Sequence, residues 1–244
     1  ATLLSVSTFA HVIIGVRDVQ RIRAEELAQQ REKLAVLNRL VRHNLRHEAQ
    51  YLIGAKGMIS SADDPEERDS ISSDIGAVAD RLTEMHDTLD RTQDIIRRSE
   101  RPNTGVDLDE IVEEIVSDYR SSHPDATISV DVADGLVVSA GTELRSVLEE
   151  LIENAVIYAD ESPEIEVTAR ETNGQIRLTV ADNGPGIPEP DRSVITREAD
   201  IDQMTHAQGL GLWFVRWAMD AYNGGFDLET GDSGTTIALE FSRT

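Results

Sequence analysis

Ile71, Ile75, Val78, Leu82, Met85, Leu89, Thr92 and Ile96 follow one another in alternating steps of four and three residues without a slip. A repeat of about 3.5 residues falls short of the roughly 3.6 of a straight α-helix. Such a stripe stays on one side only if the helix supercoils against a partner. The natural partner lies just upstream. Residues 18–60 contain no proline, and glycine enters only at Gly54 and Gly57. Leu27, Leu34, Leu37, Val41, Leu45, Leu52 and Ile59 recur there at largely heptad steps. Between the two runs, Ser60-Ser61-Ala62-Asp63-Asp64-Pro65 breaks the helix, and Asp64 starts the next one as its cap, with Pro65 in the first turn and Glu67 in the capping-box position. Two long helices joined by a short loop make an antiparallel hairpin. One hairpin leaves each stripe half covered, whereas two hairpins in a four-helix bundle cover both, so the periodicity predicts a homodimer.

Past this hairpin the grammar changes. Residues 97–105 are polar, with Pro102 and Gly105, and read as a hinge. Asp107 and Glu110 open a helix to about Tyr119, and residues 127–132 alternate as a strand, with a short one at 136–138. A helix from Thr142 carries Leu144, Val147, Leu148, Leu151 and Ala155. Residues 165–171 and 175–181 flank Asn173-Gly174, a hairpin turn. A helix over 210–222, the Gly224-Gly225 turn and a pairing of 226–230 with 235–241 complete the set. Such an order predicts an α+β sandwich, a mixed sheet with helices on one face.

Composition excludes several functions. The 23 basic and 46 acidic residues among 244 give a net charge of −23, which repels a phosphate backbone, so the chain is no general nucleic-acid binder. Lysine occurs only at Lys33 and Lys56. Excess acid with depleted lysine suits a halophile, because at molar salt the Debye length shrinks to about 3 Å and self-repulsion is screened. With no cysteine, disulfides, thiolate catalysis and Cys-based zinc sites are excluded. The sequence begins at Ala1 rather than Met, which reads as a trimmed chain. Residues 3–16 are mostly apolar and are followed by Arg17, Arg21 and Arg23. The run is shorter than the roughly 20 residues of a membrane span. It reads as the inner end of a longer span, with the arginines on the cytoplasmic side, or as the start of a soluble coiled coil. The first reading makes this the cytoplasmic portion of a membrane-anchored protein.

Three short motifs carry chemistry. Asp182-Asn183-Gly184-Pro185-Gly186-Ile187 places a carboxylate at a strand end beside glycines that let a base approach. Upstream, Glu150 and Asn154 lie one helical turn apart; downstream, Gly209-Leu210-Gly211-Leu212 opens a helix whose N–H groups can bind phosphate. No G-x-x-x-x-G-K-[ST] is present, so this is not a P-loop enzyme.

The order Asn154, then Asp182-x-Gly184-x-Gly186, then Gly209-Leu-Gly211-Leu resembles the N, G1 and G2 boxes of the histidine-kinase ATPase domain, which shares the Bergerat-type fold of gyrase B, Hsp90 and MutL. The resemblance implies ATP as cofactor, with Asp182 on the adenine amino group, Gly184, Gly186 and Ile187 around the base, and Asn154 holding Mg²⁺. Tyr158 matches an aromatic common four residues after that Asn. Residues 209–212 would hold phosphate, and Gly234-Thr235-Thr236 resembles the last box, where the hydroxyl of Thr236 supports the Asp. Residues 188–208 would be the mobile lid. The chain departs from the family where Glu150 replaces a frequent Asn, where Ile157 replaces a phosphate-reaching basic residue, and where Ala207 replaces the first lid glycine. Glu150 would be an outer-sphere Mg²⁺ ligand or the water-activating base of gyrase-like ATPases.

Arg42-His43-Asn44-Leu45-Arg46-His47-Glu48 resembles the phosphoacceptor motif of the same kinases. It implies His43 as acceptor, Asn44 as its orienting neighbour in place of an acid, and His47 where Thr or Asn otherwise positions water. A rival reading makes His43 and His47 a metal pair with Glu48 adjacent. The resemblance covers residues 35–244 and implies four segments: a signalling helix at 1–34, a dimerisation and phosphotransfer hairpin at 35–98, a hinge at 99–106 and a catalytic domain at 107–244. The implied function is a sensor histidine kinase whose partner is a separate response-regulator receiver domain. Alternatives are an ATP-hydrolysing conformational machine and a non-catalytic dimeric ATP-sensing scaffold.

Overall fold

A computed structural model describes residues 2–61, 64–97, 103–159, 162–196 and 209–244. The chain divides into two compact units, Ala1–Leu40 and Val41–Thr244. The first is helical throughout its described length, the opening part of α1 (Thr2–Ser61). Among the described residues, no helix is long and apolar enough to cross a membrane.

In the second unit, α1 continues and turns back into α2 (Pro65–Arg97). Asp64 caps α2 as expected, its Oδ1 accepting the Glu66 N–H at 3.1 Å. All eight positions of the α2 stripe are buried or half-buried, with Val78 and Thr92 fully so. The facing stripe of α1 differs from the apolar one the sequence suggested. Leu45 is 46% exposed, whereas Asn44 and Glu48 are 4% exposed. Glu48 can be inside because Arg81 of α2 meets it with two hydrogen bonds, Nε to Oε1 at 3.0 Å and Nη2 to Oε2 at 2.9 Å. Nearer the turn, Ala55 packs with Ile71 and Ile75.

Then come β1 (Thr104–Asp107), α3 (Leu108–Ser122), β2 (Thr127–Val132), β3 (Val137–Ala140), α4 (Leu144–Ile157), β4 (Glu164–Thr172), β5 (Gln175–Asp182), α5 (Glu189–Ile195), α6 (Gly209–Tyr222), β6 (Gly225–Gly231) and β7 (Gly234–Ser242). The main sheet has the order β2-β4-β5-β7-β6, parallel at β2–β4 and antiparallel elsewhere. One row, Val130–Val167–Val180–Ile237–Leu228, crosses all five strands in register. It lies on the face that α3, α4 and α6 cover. The opposite face carries charge: Arg177 bonds both Glu240 of β7 at 2.6 Å and Asp227 of β6 at 3.2 Å. This is the expected sandwich.

Some boundaries differ. β1 occupies part of the stretch that reads as hinge, pairing with β3 from Thr104↔Ala140 to Asp107↔Val137. Glycine hid it: a side chain at Gly105 would press on Val137, 3.1 Å from its Cγ1. Asp107 precedes α3 but makes no side-chain cap bond. Helix α5 lies inside the expected lid, whose residues 197–208 fall outside the described ones, as do hinge residues 98–102.

Candidate functional site

Strand parity builds the site. Asp182 ends β5 two residues after Val180, so it shares the helix-covered face, opposite Ile165 in register. Its Oδ1 accepts N–H bonds from Gly184 at 2.9 Å and Thr235 at 3.1 Å. The carboxylate is thereby locked in orientation, and neither bond uses Oδ2. The following loop is equally fixed. Gly186 has φ +76, and a Cβ there would run into the Gly231 carbonyl, so the position is closed to other residues. Ile187 N–H donates to Thr230 Oγ1 at 2.7 Å, and that hydroxyl lies 3.2 Å from Thr235 Oγ1.

Helix α4 forms the facing wall. Leu151, Asn154, Ala155 and Tyr158 fall at helical steps on one side and line a cavity with Asp182, Gly186 and Ile187. Val180, Ile195, Leu212, Thr235 and Ile237 complete the lining. A mostly apolar slot with one anchored carboxylate at its end fits a flat heterocycle with an exocyclic donor.

Of the sequence-identified residues, Asn154, Tyr158, Asp182, Gly186, Ile187 and Leu212 therefore converge on one cavity. Gly184 belongs to it through its bond to Asp182. Gly209, Leu210 and Gly211 form the first turn of α6, where N–H groups have no intrahelical acceptor. Thr236 is a correction. It pairs with Ala181, on the opposite face from Ile237, while Thr235 lines the cavity and donates to Asp182. Counting by twos from Ile237 finds Thr235; matching the motif by eye does not. Ile195 and the apolar wall were also missed, since nothing in an isolated Ile or Val distinguishes a ligand wall from core.

Glu150 sits deeper, its side chain 13% exposed. Asn154 Nδ2 donates to the Glu150 backbone oxygen at 2.6 Å and to its Oε1 at 3.1 Å. Arg91 of α2 approaches Oε2 at 3.9 Å. Gly211 leaves room for this carboxylate; a Cβ there would collide with it. Burial pushes the Glu150 carboxyl above the ordinary range, opposed by Arg91 and by the Asn154 hydrogen bond. Burial likewise raises the Tyr158 phenol, with Glu84 adding to it. Both amide hydrogens of Asn154 are thus taken by Glu150, which leaves Oδ1 as the hard oxygen donor that Mg²⁺ prefers. The donor set fits magnesium.

The second cluster lies on α1. His43 is half-buried and His47 exposed, one turn apart on the same side. His43 Nδ1 lies 3.4 Å from Asn44 Oδ1. Glu48, adjacent to His47, is committed to Arg81 through both oxygens. Among the described residues no group of three His, Cys, Asp or Glu gathers in a way that could hold a metal ion.

Residues 139–244 match the family described as histidine kinase-, DNA gyrase B-, and HSP90-like ATPase. A cavity suited to a flat heterocycle is in keeping with an ATPase family. A sensor-like histidine kinase, SenX3 of Mycolicibacterium smegmatis, is 28% identical over 212 residues, 80% of this chain and 55% of the relative. SenX3 of Mycobacterium tuberculosis is 29% identical over 74% of this chain and 48% of its own. The chain thus spans about half the length of the curated relatives it matches. In fold, the histidine kinase ThkA, solved in complex with the response regulator TrrA, aligns with a TM-score of 0.67 at 21% identity, covering 91% of this chain and 66% of that one. Acinetobacter baumannii AdeS aligns at 0.59 and 21% identity, covering 82% and 97%. Over a helical hairpin and the ATPase-like domain that follows it, this chain is similar to sensor histidine kinases.

Proposed function

We propose that this chain autophosphorylates on His43 from ATP and passes the phosphoryl group to an aspartate of a separate response-regulator receiver domain. What carries the reading is the presence of two sites in one chain, an adenine-type slot ending in the locked Asp182 and an accessible imidazole in the hairpin. Asn44 Oδ1 can only accept, so the His43 proton belongs on Nδ1 and the lone pair on Nε2. Nε2 then attacks the γ-phosphorus, the bond to the bridging oxygen breaks, ADP leaves, and the Nδ1 proton goes to solvent because Asn44 cannot take it. In-line transfer of this kind depends on positioning and charge stabilisation. Asn154 would hold Mg²⁺ through Oδ1, and that ion would offset charge on the phosphates. His47 would position water in any phosphatase reaction.

Dimerisation is part of the proposal. Leu45 at 46%, Ile53 at 72% and Met58 at 54% exposure leave α1 with apolar surface that a second hairpin would cover. An upstream membrane anchor and a saline cytoplasm are further expectations of the same reading. Glu150 is held beside Asn154 and near Arg91, with Oε1 accepting from the Asn154 amide at 3.1 Å and Oε2 3.9 Å from Arg91, so the label test below, rather than its geometry, separates phosphotransfer from hydrolysis. The test is incubation with γ-labelled ATP in molar KCl. An acid-labile, base-stable label on the chain is expected, absent from His43→Gln, which still binds ATP. Label persisting on His43→Gln would sink the assignment. Free phosphate without label would favour the ATPase machine, and tight binding with neither would favour the scaffold.

A further inference from the structure

Arg91 is a residue of the hairpin that reaches into the ATP-binding domain. Its guanidinium carbon stands 5.4 Å from the centroid of the Phe214 ring on α6, and its Nη2 stands 3.9 Å from Glu150 Oε2 on α4. On its own helix it is steadied by Thr88 Oγ1 at 3.2 Å and the Asp87 carbonyl at 3.4 Å. Phe214 is fully buried, and the Arg91 side chain is 32% exposed. A planar cation between an aromatic face and a carboxylate is fixed more tightly than a surface ion pair.

What Glu150 does next gives the contact a consequence. Its Oε1 and its backbone oxygen hold both hydrogens of the Asn154 amide. That arrangement alone points Asn154 Oδ1, rather than Nδ2, toward a metal. Rotating the Glu150 side chain would release one hydrogen and let the amide turn.

We propose that Arg91 is a positioning residue: by clamping Glu150 it keeps the Asn154 oxygen presented to the magnesium of a bound nucleotide, so that magnesium-nucleotide affinity depends on α2 being docked against α4 and α6. This rests on the kinase reading above and adds a route by which movement of the signalling hairpin is felt in the ATP site. By linkage the dependence is reciprocal, and magnesium-nucleotide favours the docked arrangement.

The test is calorimetric titration of a non-hydrolysable ATP analogue, once with Mg²⁺ and once with EDTA, on the unaltered chain and on Arg91→Ala, Arg91→Lys, Glu150→Gln and Arg91→Ala/Glu150→Gln. Loss of a residue that orients a metal ligand costs about tenfold or more in metal-dependent affinity. Arg91→Ala should lose that much of the gain conferred by Mg²⁺ while its affinity in EDTA stays within about twofold, and Arg91→Lys should regain part of it, keeping the charge without the planar stack. In the Glu150→Gln background, Arg91→Ala should add almost nothing, since it acts through that side chain. An unchanged Mg²⁺ gain in Arg91→Ala, or an equal loss with and without Mg²⁺, would overturn the proposal. Absence of nucleotide binding by the unaltered chain would overturn the kinase reading and this inference with it.

Discussion

On the kinase reading proposed above, Asp182 separates recognition from folding within a single side chain. Oδ1 ties the Gly184 loop to the start of β7, and Oδ2 takes no part in either bond. Asp182→Asn keeps an oxygen for the two backbone donors and replaces Oδ2 with an NH₂ group. A donor would then face the adenine amino donor. The charge-assisted bond, worth about 1.5–3 kcal/mol, is lost and a donor–donor contact replaces it. Since each 1.4 kcal/mol or so is tenfold, ATP affinity should fall about 10- to 100-fold or more while the melting temperature barely moves. Asp182→Ala should lower both, because the loop loses its anchors. Calorimetry and a thermal melt on the two variants check this; an unchanged Kd for Asp182→Asn refutes the adenine assignment.

At the scale of elements, the hairpin shows how a buried charge is tolerated and why sequence alone misplaced the stripe on α1. Glu48 is 4% exposed, and its whole hydrogen-bonding capacity toward α2 runs through Arg81. Removing only the arginine strands a buried carboxylate, which costs about 3–5 kcal/mol, whereas replacing both residues with apolar ones of similar size is often neutral or stabilising. Arg81→Ala should therefore shift chemical denaturation, followed by far-UV circular dichroism, to markedly lower denaturant, and Glu48→Leu/Arg81→Leu should return it to the original midpoint or above. If the double variant is as unstable as the single one, the pair carries more than charge compensation. The α2 stripe was legible because every position in it is apolar or Thr. The α1 stripe passes through Asn44 and Glu48, and an acidic residue inside is visible only once its partner across the hairpin is known. The Asn173-Gly174 hairpin and Asp182 were legible for local reasons, a two-residue turn and a strand-end carboxylate beside glycines. Strand β1 was not, because Gly105 reads as linker while its fitness for a strand depends on Val137, far along the chain. Arg91 was invisible for the same reason: its meaning lies in Glu150 and Phe214.

For the molecule as a whole, the dominant fact is 46 acidic against 23 basic side chains. Arginine pairs soften this locally, as where Arg177 spans Asp227 and Glu240 or Arg170 holds the Asp131 carboxyl below its usual range, but these pairs are exposed. Exposed pairs are worth about 0–1 kcal/mol each and weaken with salt. The excess charge acts in the other direction: it opposes the compact state, and its range falls from about 10 Å at 0.1 M to about 3 Å at 1 M salt. Since 46 acids outnumber 23 bases two to one, the surface stays strongly negative however the bases are shared, and screening that repulsion outweighs the loss of a few surface pairs. The melting temperature should therefore rise steadily with KCl from 0.1 M into the molar range. Differential scanning calorimetry across that series decides the matter. A midpoint that falls as KCl is added would mean that the exposed arginine pairs, and not the net charge, govern the stability of this acidic surface.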